Sequence, residues 1–213
     1  MTDRPILMSA PMVRALLREI EQPGSGKTQT RRLAWQGTTA EADYRDGRPT
    51  IWQSVKAGDR LWVRETWRTL NRFNSWPIPK GAWVAYEVDD NVGDARPLNP
   101  KTPALTLGDR GRMGKLRASI HMPRWASRIT LVVESTKRER VQEISEADCY
   151  AEGIQRHQDE DFRRRQAPMV GPAFAQLWDA LHKPGARWED NPEVVAITFR
   201  PVLANIDAME KAA

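Results

Sequence analysis

Nine consecutive residues, Gly24 to Arg32, hold two glycines, three cations and three hydroxyls. Such a loop combines permissive backbone with many donors, which suits an anion, a polar ligand or a chemical step. Gly26-Lys27-Thr28 is the tail of a phosphate-binding P-loop, but the first glycine of that motif would fall on Glu21. The motif also needs a strand before the loop and a helix after it. Here Val13–Ile20 carries apolar residues at helical spacing, and Arg31–Gly37 is too short for the helix. A nucleoside-triphosphatase loop is therefore excluded, and a solvated basic turn is the plain alternative.

Other reactive residues are sparse. Cys149 is the only cysteine, so no disulfide or cysteine zinc site forms within one chain, and a reducing cytoplasm is the expected setting. Asp148 and Glu152 would raise its thiol pKa, which argues for packing over nucleophilic work. His121, His157 and His182 are scattered without ligand spacing, so neither a metal nor a cofactor is expected. No apolar run approaches the length of a membrane span. A net charge of +5 permits a nucleic-acid partner without requiring one. Among the nine tryptophans, Trp62, Trp67 and Trp125 lie near arginines and are candidates for stacking on bases.

These residues need elements to position them. Ile6–Met8 reads as a strand, and a helix with Pro11 in its first turn runs to about Ile20. Strands are expected at Arg60–Trp67, Ala82–Val88 and Val194–Phe199, with a long strand or hairpin over 127–141. Lys137–Arg140, with mixed charge signs, reads as a solvated face. Ser145 is an N-cap with Asp148 three residues on, and its helix ends at Gly153. Phe174, Leu177, Trp178 and Leu181 form one helical stripe. About six strands and three helices appear without a βαβ rhythm. The expected fold is α+β: a small, mostly antiparallel β-barrel flanked by about three helices, within one domain over 1–205. Insertions are expected near 36–56 and 70–118, and residues 206–213 read as a frayed tail.

Several motifs resemble the ASCH domain family, which has a PUA-like β-barrel. They are Lys27-Thr28-Gln29-Thr30-Arg31-Arg32 after a helix, Gly58–Val63 opening a strand, and Ile144–Asp148 followed by Ala151–Ile154. Phe174, Leu177 and Trp178 before a final strand near Pro192 belong to the same pattern. Arg64–Trp67 and His121–Trp125 look like the longer version found in phage and prophage genomes. The resemblance covers roughly residues 5 to 200. Lys27, Thr30 and Arg32 fit the family's Gly-x-Lys-x-x-Thr-x-Arg signature, while Ser25 holds the glycine's place between Gly24 and Gly26.

The resemblance implies an RNA- or modified-nucleoside-binding domain. One bacterial branch of the family is an N4-acetylcytidine amidohydrolase with a Lys, a Thr and a Glu, matched here by Lys27, Thr30 and Glu152. Amide hydrolysis needs a nucleophile, a base and a stabilised oxyanion. A lysine base must be neutral, so burial or the neighbouring Arg31 and Arg32 would have to lower its pKa. Gly26, Arg32, Trp62, Arg64, Glu65 and Arg124 are the expected ligand-binding residues. The alternatives are a Lys27–Glu152 ion pair of purely structural role, a non-catalytic RNA-binding accessory module of a phage, and a ribonuclease using a histidine. RNA or a modified nucleoside is the expected partner.

Overall fold

A computed structural model describes residues 1–36, 47–69, 83–89, 96–97, 114–154 and 170–209. It shows a mixed α+β chain with ten strands and four α-helices among the described residues. Strands β1 (Asp3–Leu7), β5 (Arg60–Arg64), β9 (Thr130–Arg140), β10 (Glu193–Val202) and β2 (Gln29–Leu33) order as β1-β5-β9-β10-β2. Among the described residues the order ends on β1 and β2, and no pairing closes these five strands into the expected barrel. Short pairs complete the strands: β3 (Trp35–Gln36) with β4 (Arg48–Pro49), and β6 (Trp67–Thr69) with β7 (Trp83–Tyr86) and β8 (Arg96–Pro97).

Within the run that the sequence groups as one domain, the chain forms two compact units. The first contains Met1–Arg14, Arg60–Leu131 and Val202–Ala213, and the second Ala15–Asp59 and Val132–Pro201. In the first unit β1 runs parallel to β5, with Ile6 opposite Val63. A parallel pair needs a long crossover, and more than fifty residues separate the two strands. This pairing departs from the mostly antiparallel expectation. The unit's core gathers Trp67, Val84, Tyr86, Met122 and Ala126. Tyr86 satisfies its hydroxyl by donating to the Ala126 carbonyl at 2.9 Å.

The end of the described chain also differs from expectation. Residues 206–209 form a helical turn, with Ile206 fully buried and Asp207 bonded to Arg124 at 2.7 Å. An apolar residue tied down in this way keeps the segment from fraying. Asn205 reinforces the turn by donating to the Ser127 carbonyl at 2.7 Å.

The second unit is built on β10 and β2, an antiparallel pair with Ile197 opposite Thr30. Helix α1 (Ala10–Glu21) leads into it. Helix α2 (Glu146–Ala151) starts as its sequence dictates: Ser145 and Asp148 form a reciprocal capping box. Gly153 follows at φ +97°, a conformation that favours glycine after a helix. Helix α3 (Val170–Leu181) turns Phe174 and Trp178 onto Val141, Cys149 and Val194. Each buried aromatic contributes about 1.5–3 kcal/mol on area alone. Leu181, the last member of the expected stripe, is exposed. β9 is one continuous strand rather than a hairpin. Of the expected insertions, residues 37–46, 70–82, 90–95 and 98–113 lie outside the described residues.

Cys149 is packed in this second core, and burial pushes its thiol up to about 11, with Glu152 and Asp148 adding to the effect against Arg31. At pH 8 a thiol of that pKa is about one part in a thousand thiolate. Iodoacetamide at pH 8 should therefore leave the native protein unlabelled over a time in which the urea-unfolded chain reacts completely. Rapid native labelling, read by intact mass, would contradict this placement.

Candidate functional site

The basic loop does not present its backbone to a ligand. Gly24 and Gly26 both donate their N–H groups to the Glu19 carboxylate, at 2.9 and 2.8 Å. Ser25 donates its hydroxyl to the Gln22 carbonyl at 2.7 Å. Lys27 N–H meets Ala15 O, and Thr28 N–H meets Ala151 O. These groups are the donors an anion cradle would use, and they are consumed by the turn that closes α1 and by the end of α2. Gly26 is needed because any Cβ there would collide with the backbone of Ala15 and Glu19. Its role is thus close approach, not ligand contact as the sequence suggested.

The turn aims Lys27 inward. Its side chain is fully buried, and Nζ donates to Glu152 Oε2 at 2.6 Å and to the Glu152 carbonyl at 2.7 Å. Glu152 caps the C-terminal end of α2, where a cation is also favoured by the helix dipole. Gly153 makes the approach possible, since a Cβ there would sit 3.3 Å from Lys27 Cβ and 2.9 Å from Ala15 Cβ. Burial pushes the Lys27 ammonium below its ordinary value; the attraction of Glu152 opposes the shift, and Arg32 and Arg31 add to it.

Arg31 joins the same carboxylate. Its guanidinium contacts Glu152 Oε1 at 3.2 Å, Glu139 Oε1 at 2.7 Å and Asp148 Oδ2 at 3.1 Å. Gln29 Oε1 accepts a further bond at 2.6 Å. Glu139 is itself buried and receives Lys137 Nζ at 2.6 Å. Three cations, Lys27, Arg31 and Lys137, thereby face three carboxylates, Glu139, Asp148 and Glu152. Burial works against the Asp148 carboxylate, yet Ser145 and Arg31 hold it below its ordinary value. Glu139 corrects the expectation of a solvated face over Lys137–Arg140. The signal that could have found it is the period-2 alternation of β9, read together with Arg31 and Gln29 on one face of β2.

Thr30 is buried on β2. Strand alternation points it to the face opposite Gln29 and Arg31, and the hydrogen bonds of Lys27 and Glu152 do not include its hydroxyl. The structure thus brings Lys27 and Glu152 together and leaves Thr30, close to Lys27 in sequence, bonded to neither. Arg32 places its guanidinium 5.6 Å from the centre of the Trp52 ring. Burial lowers its pKa, and Glu152 partly restores it.

The remaining expected ligand residues lie in the first unit and are already engaged. Glu65 is buried and bound to Arg128 at 2.9 Å, and Arg128 covers the Tyr86 ring at 3.9 Å. Arg124 bridges Asp3 at 2.6 Å and Asp207 at 2.7 Å. Trp62 is almost buried, beneath the Arg64 guanidinium at 5.4 Å. Trp67 is wholly buried and packs edge-on against half-buried Trp125, so it offers no face to a base. Glu65 and Trp67 are therefore structural in this unit. Among the described residues no group of three or more His, Cys, Asp or Glu side chains is arranged to hold a metal ion. No helix among them is long and apolar enough to cross a membrane.

No family model, curated protein or solved structure matches the chain.

The pairing predicts an order of stabilities. Glu152→Ala strips the carboxylate from two buried cations and should cost about 3–5 kcal/mol. Lys27→Met should cost less, because Arg31 still neutralises Glu152. Urea melts of both variants and of the double variant test this, and a Lys27→Met cost equal to or above that of Glu152→Ala would contradict it.

Proposed function

We propose that the chain is an ASCH-type domain with a PUA-like architecture that binds a modified nucleoside and removes an N4-acyl group such as acetyl from cytidine. The observation that carries this reading is the buried Lys27–Glu152 contact of 2.6 Å, with burial holding the lysine below its ordinary pKa. A lysine in that position can exist as the neutral amine that a general base requires. The resemblance of Lys27, Thr30 and Arg32 to the family signature supports the substrate class.

In this reading, proton transfer along the short contact leaves a neutral Lys27 amine and a protonated Glu152. The amine takes a proton from the attacking hydroxyl, from water or Thr30, as oxygen adds to the acyl carbonyl. Arg32 supplies positive charge for the oxyanion. Glu152 gives its proton to the departing exocyclic nitrogen, and the bond between that nitrogen and the acyl carbon breaks. Lys27 then returns its proton to Glu152. With water as nucleophile the products are acetate and cytidine; with Thr30 an acyl ester forms first, and a water cleaves it.

A second reading is favoured by one observation: Lys27 and Glu152 are mutually satisfied, and Thr30 bonds to neither. A nucleoside- or RNA-binding accessory module needs the pair only to hold the loop against α2. The two readings part in one assay. Incubation with N4-acetylcytidine should release cytidine, and Lys27→Met and Glu152→Gln should each lower kcat by about 100-fold or more, as expected for losing a general base or acid. Thr30→Val separates the two nucleophiles: a full loss indicates Thr30, a small effect indicates water. No release by the folded wild-type protein would exclude hydrolysis of this substrate and leave the binding module.

A further inference from the structure

Arg31 falls on an unspecified position of the Gly-x-Lys-x-x-Thr-x-Arg signature, so the family resemblance gives it no part in the chemistry. The structure nevertheless puts it on the same carboxylate as Lys27. The two oxygens of Glu152 go to different cations. Oε2 lies 2.6 Å from Lys27 Nζ, and Oε1 lies 3.2 Å from Arg31 Nη1. All three side chains are buried in the second unit.

The seat of Arg31 is built from several elements. On β2, Gln29 Oε1 accepts from Nη1 at 2.6 Å. On β9, Glu139 Oε1 accepts from Nε at 3.0 Å and from Nη2 at 2.7 Å. The exposed Lys137 ammonium lies 2.6 Å from the other Glu139 oxygen. On α2, Asp148 Oδ2 lies 3.1 Å from Nη2, and the Cys149 thiol stays neutral, its pKa pushed up to about 11 by burial. On α3, the Phe174 ring centre is 5.9 Å from the guanidinium carbon. A planar fork held this way cannot turn from Glu152 without breaking bonds to Glu139 and Gln29, whereas an ammonium has no such fork.

A guanidinium also keeps its charge at every working pH. When Lys27 loses its proton, Arg31 stays, so Glu152 is not left as an isolated buried carboxylate. Oε1 is already an acceptor for Arg31, which leaves Oε2, the oxygen facing Lys27, for a moving proton. Burial, then Arg32 and Arg31, push the Lys27 ammonium down, while Glu152 opposes them.

We propose that Arg31 is a positioning residue of the Lys27–Glu152 site: seated by Glu139, it holds Glu152 Oε1 so that Oε2 alone exchanges the proton with Lys27. This role rests on the deacylation reading and adds to it a residue that acts through Glu152.

The test joins the pH profile of kcat for N4-acetylcytidine with the Lys27 titration, followed by NMR of 13C-labelled lysine side chains. The base is neutral Lys27, so kcat rises with pH through the Lys27 pKa. Arg31→Met removes a repelling cation; the rising limb and the titration should both move up by about one pH unit, and kcat should fall about tenfold. Glu139→Gln removes a negative charge that offsets Arg31 and should move both down. Arg31→Lys keeps the charge without the fork, so the Lys27 titration should stay at its wild-type position while kcat still falls about tenfold. Loss of packing alone would not shift two charge-removing variants in opposite directions. If circular dichroism shows Arg31→Met unfolded, Glu139→Gln and Arg31→Lys decide. No release of cytidine by the wild type would overturn the deacylation reading and this role with it. Release by the wild type with an unmoved Lys27 titration in Glu139→Gln, or with full kcat in Arg31→Lys, would overturn the role of Arg31 alone.

Discussion

The second unit depends on keeping charge buried. Lys27, Arg31, Glu139 and Glu152 are all withdrawn from water, and removing any such ion from solvent costs several kcal/mol before its partners act. The cost is met by closing every carboxylate oxygen of Glu152 on a cation and by giving Lys27 a second acceptor in the Glu152 carbonyl. That arrangement dictates local structure on both sides. Gly26 lets the loop lie against α1, and Gly153 lets the end of α2 lie against Lys27. The Glu19 carboxylate in turn fixes the loop by gathering two of its N–H groups.

A consequence is that the loop turns one charged side chain, Lys27, into the interior. Its backbone donors at Gly24, Gly26, Lys27 and Thr28 are spent on α1 and the end of α2, so they do not serve the phosphate cradle suggested by two glycines and a lysine. What survives is a buried amine whose charge is disfavoured by burial and favoured by Glu152. Burial thus moves the amine toward the neutral form that a general base requires. The first unit uses cations differently. Arg64, Arg117 and Arg128 each lie against an aromatic ring, which holds the guanidinium in place.

Much of this was legible in the residues. The Ser145 cap, the Gly153 stop and the packed role of Cys149 follow from local rules, and the structure has each of them. Lys27 and Glu152, matched through the family resemblance, do meet. Other features depend on partners far away in the chain. Glu139 looks solvated among Lys137, Arg138 and Arg140 until β9 alternation turns it inward toward Arg31. Trp67 looks available for stacking until the short β6–β7 pairing buries it. The parallel register of β1 on β5 has no local signature, since strand propensity is blind to direction. Ile206 reads as part of a polar tail because its burial depends on distant residues that no sequence window contains.

The central claim is that Lys27 is an amine whose burial outweighs its ion pair. Its ionisation can be followed directly by NMR of protein carrying 13C-labelled lysine side chains, with the Lys27 resonance identified by its loss in Lys27→Arg. The account predicts one lysine titrating below the ordinary value of about 10.5, and moving further down in Glu152→Gln, where the opposing attraction is removed. A Lys27 resonance that titrates at or above the ordinary value would contradict the account and leave the pair as a structural ion pair alone.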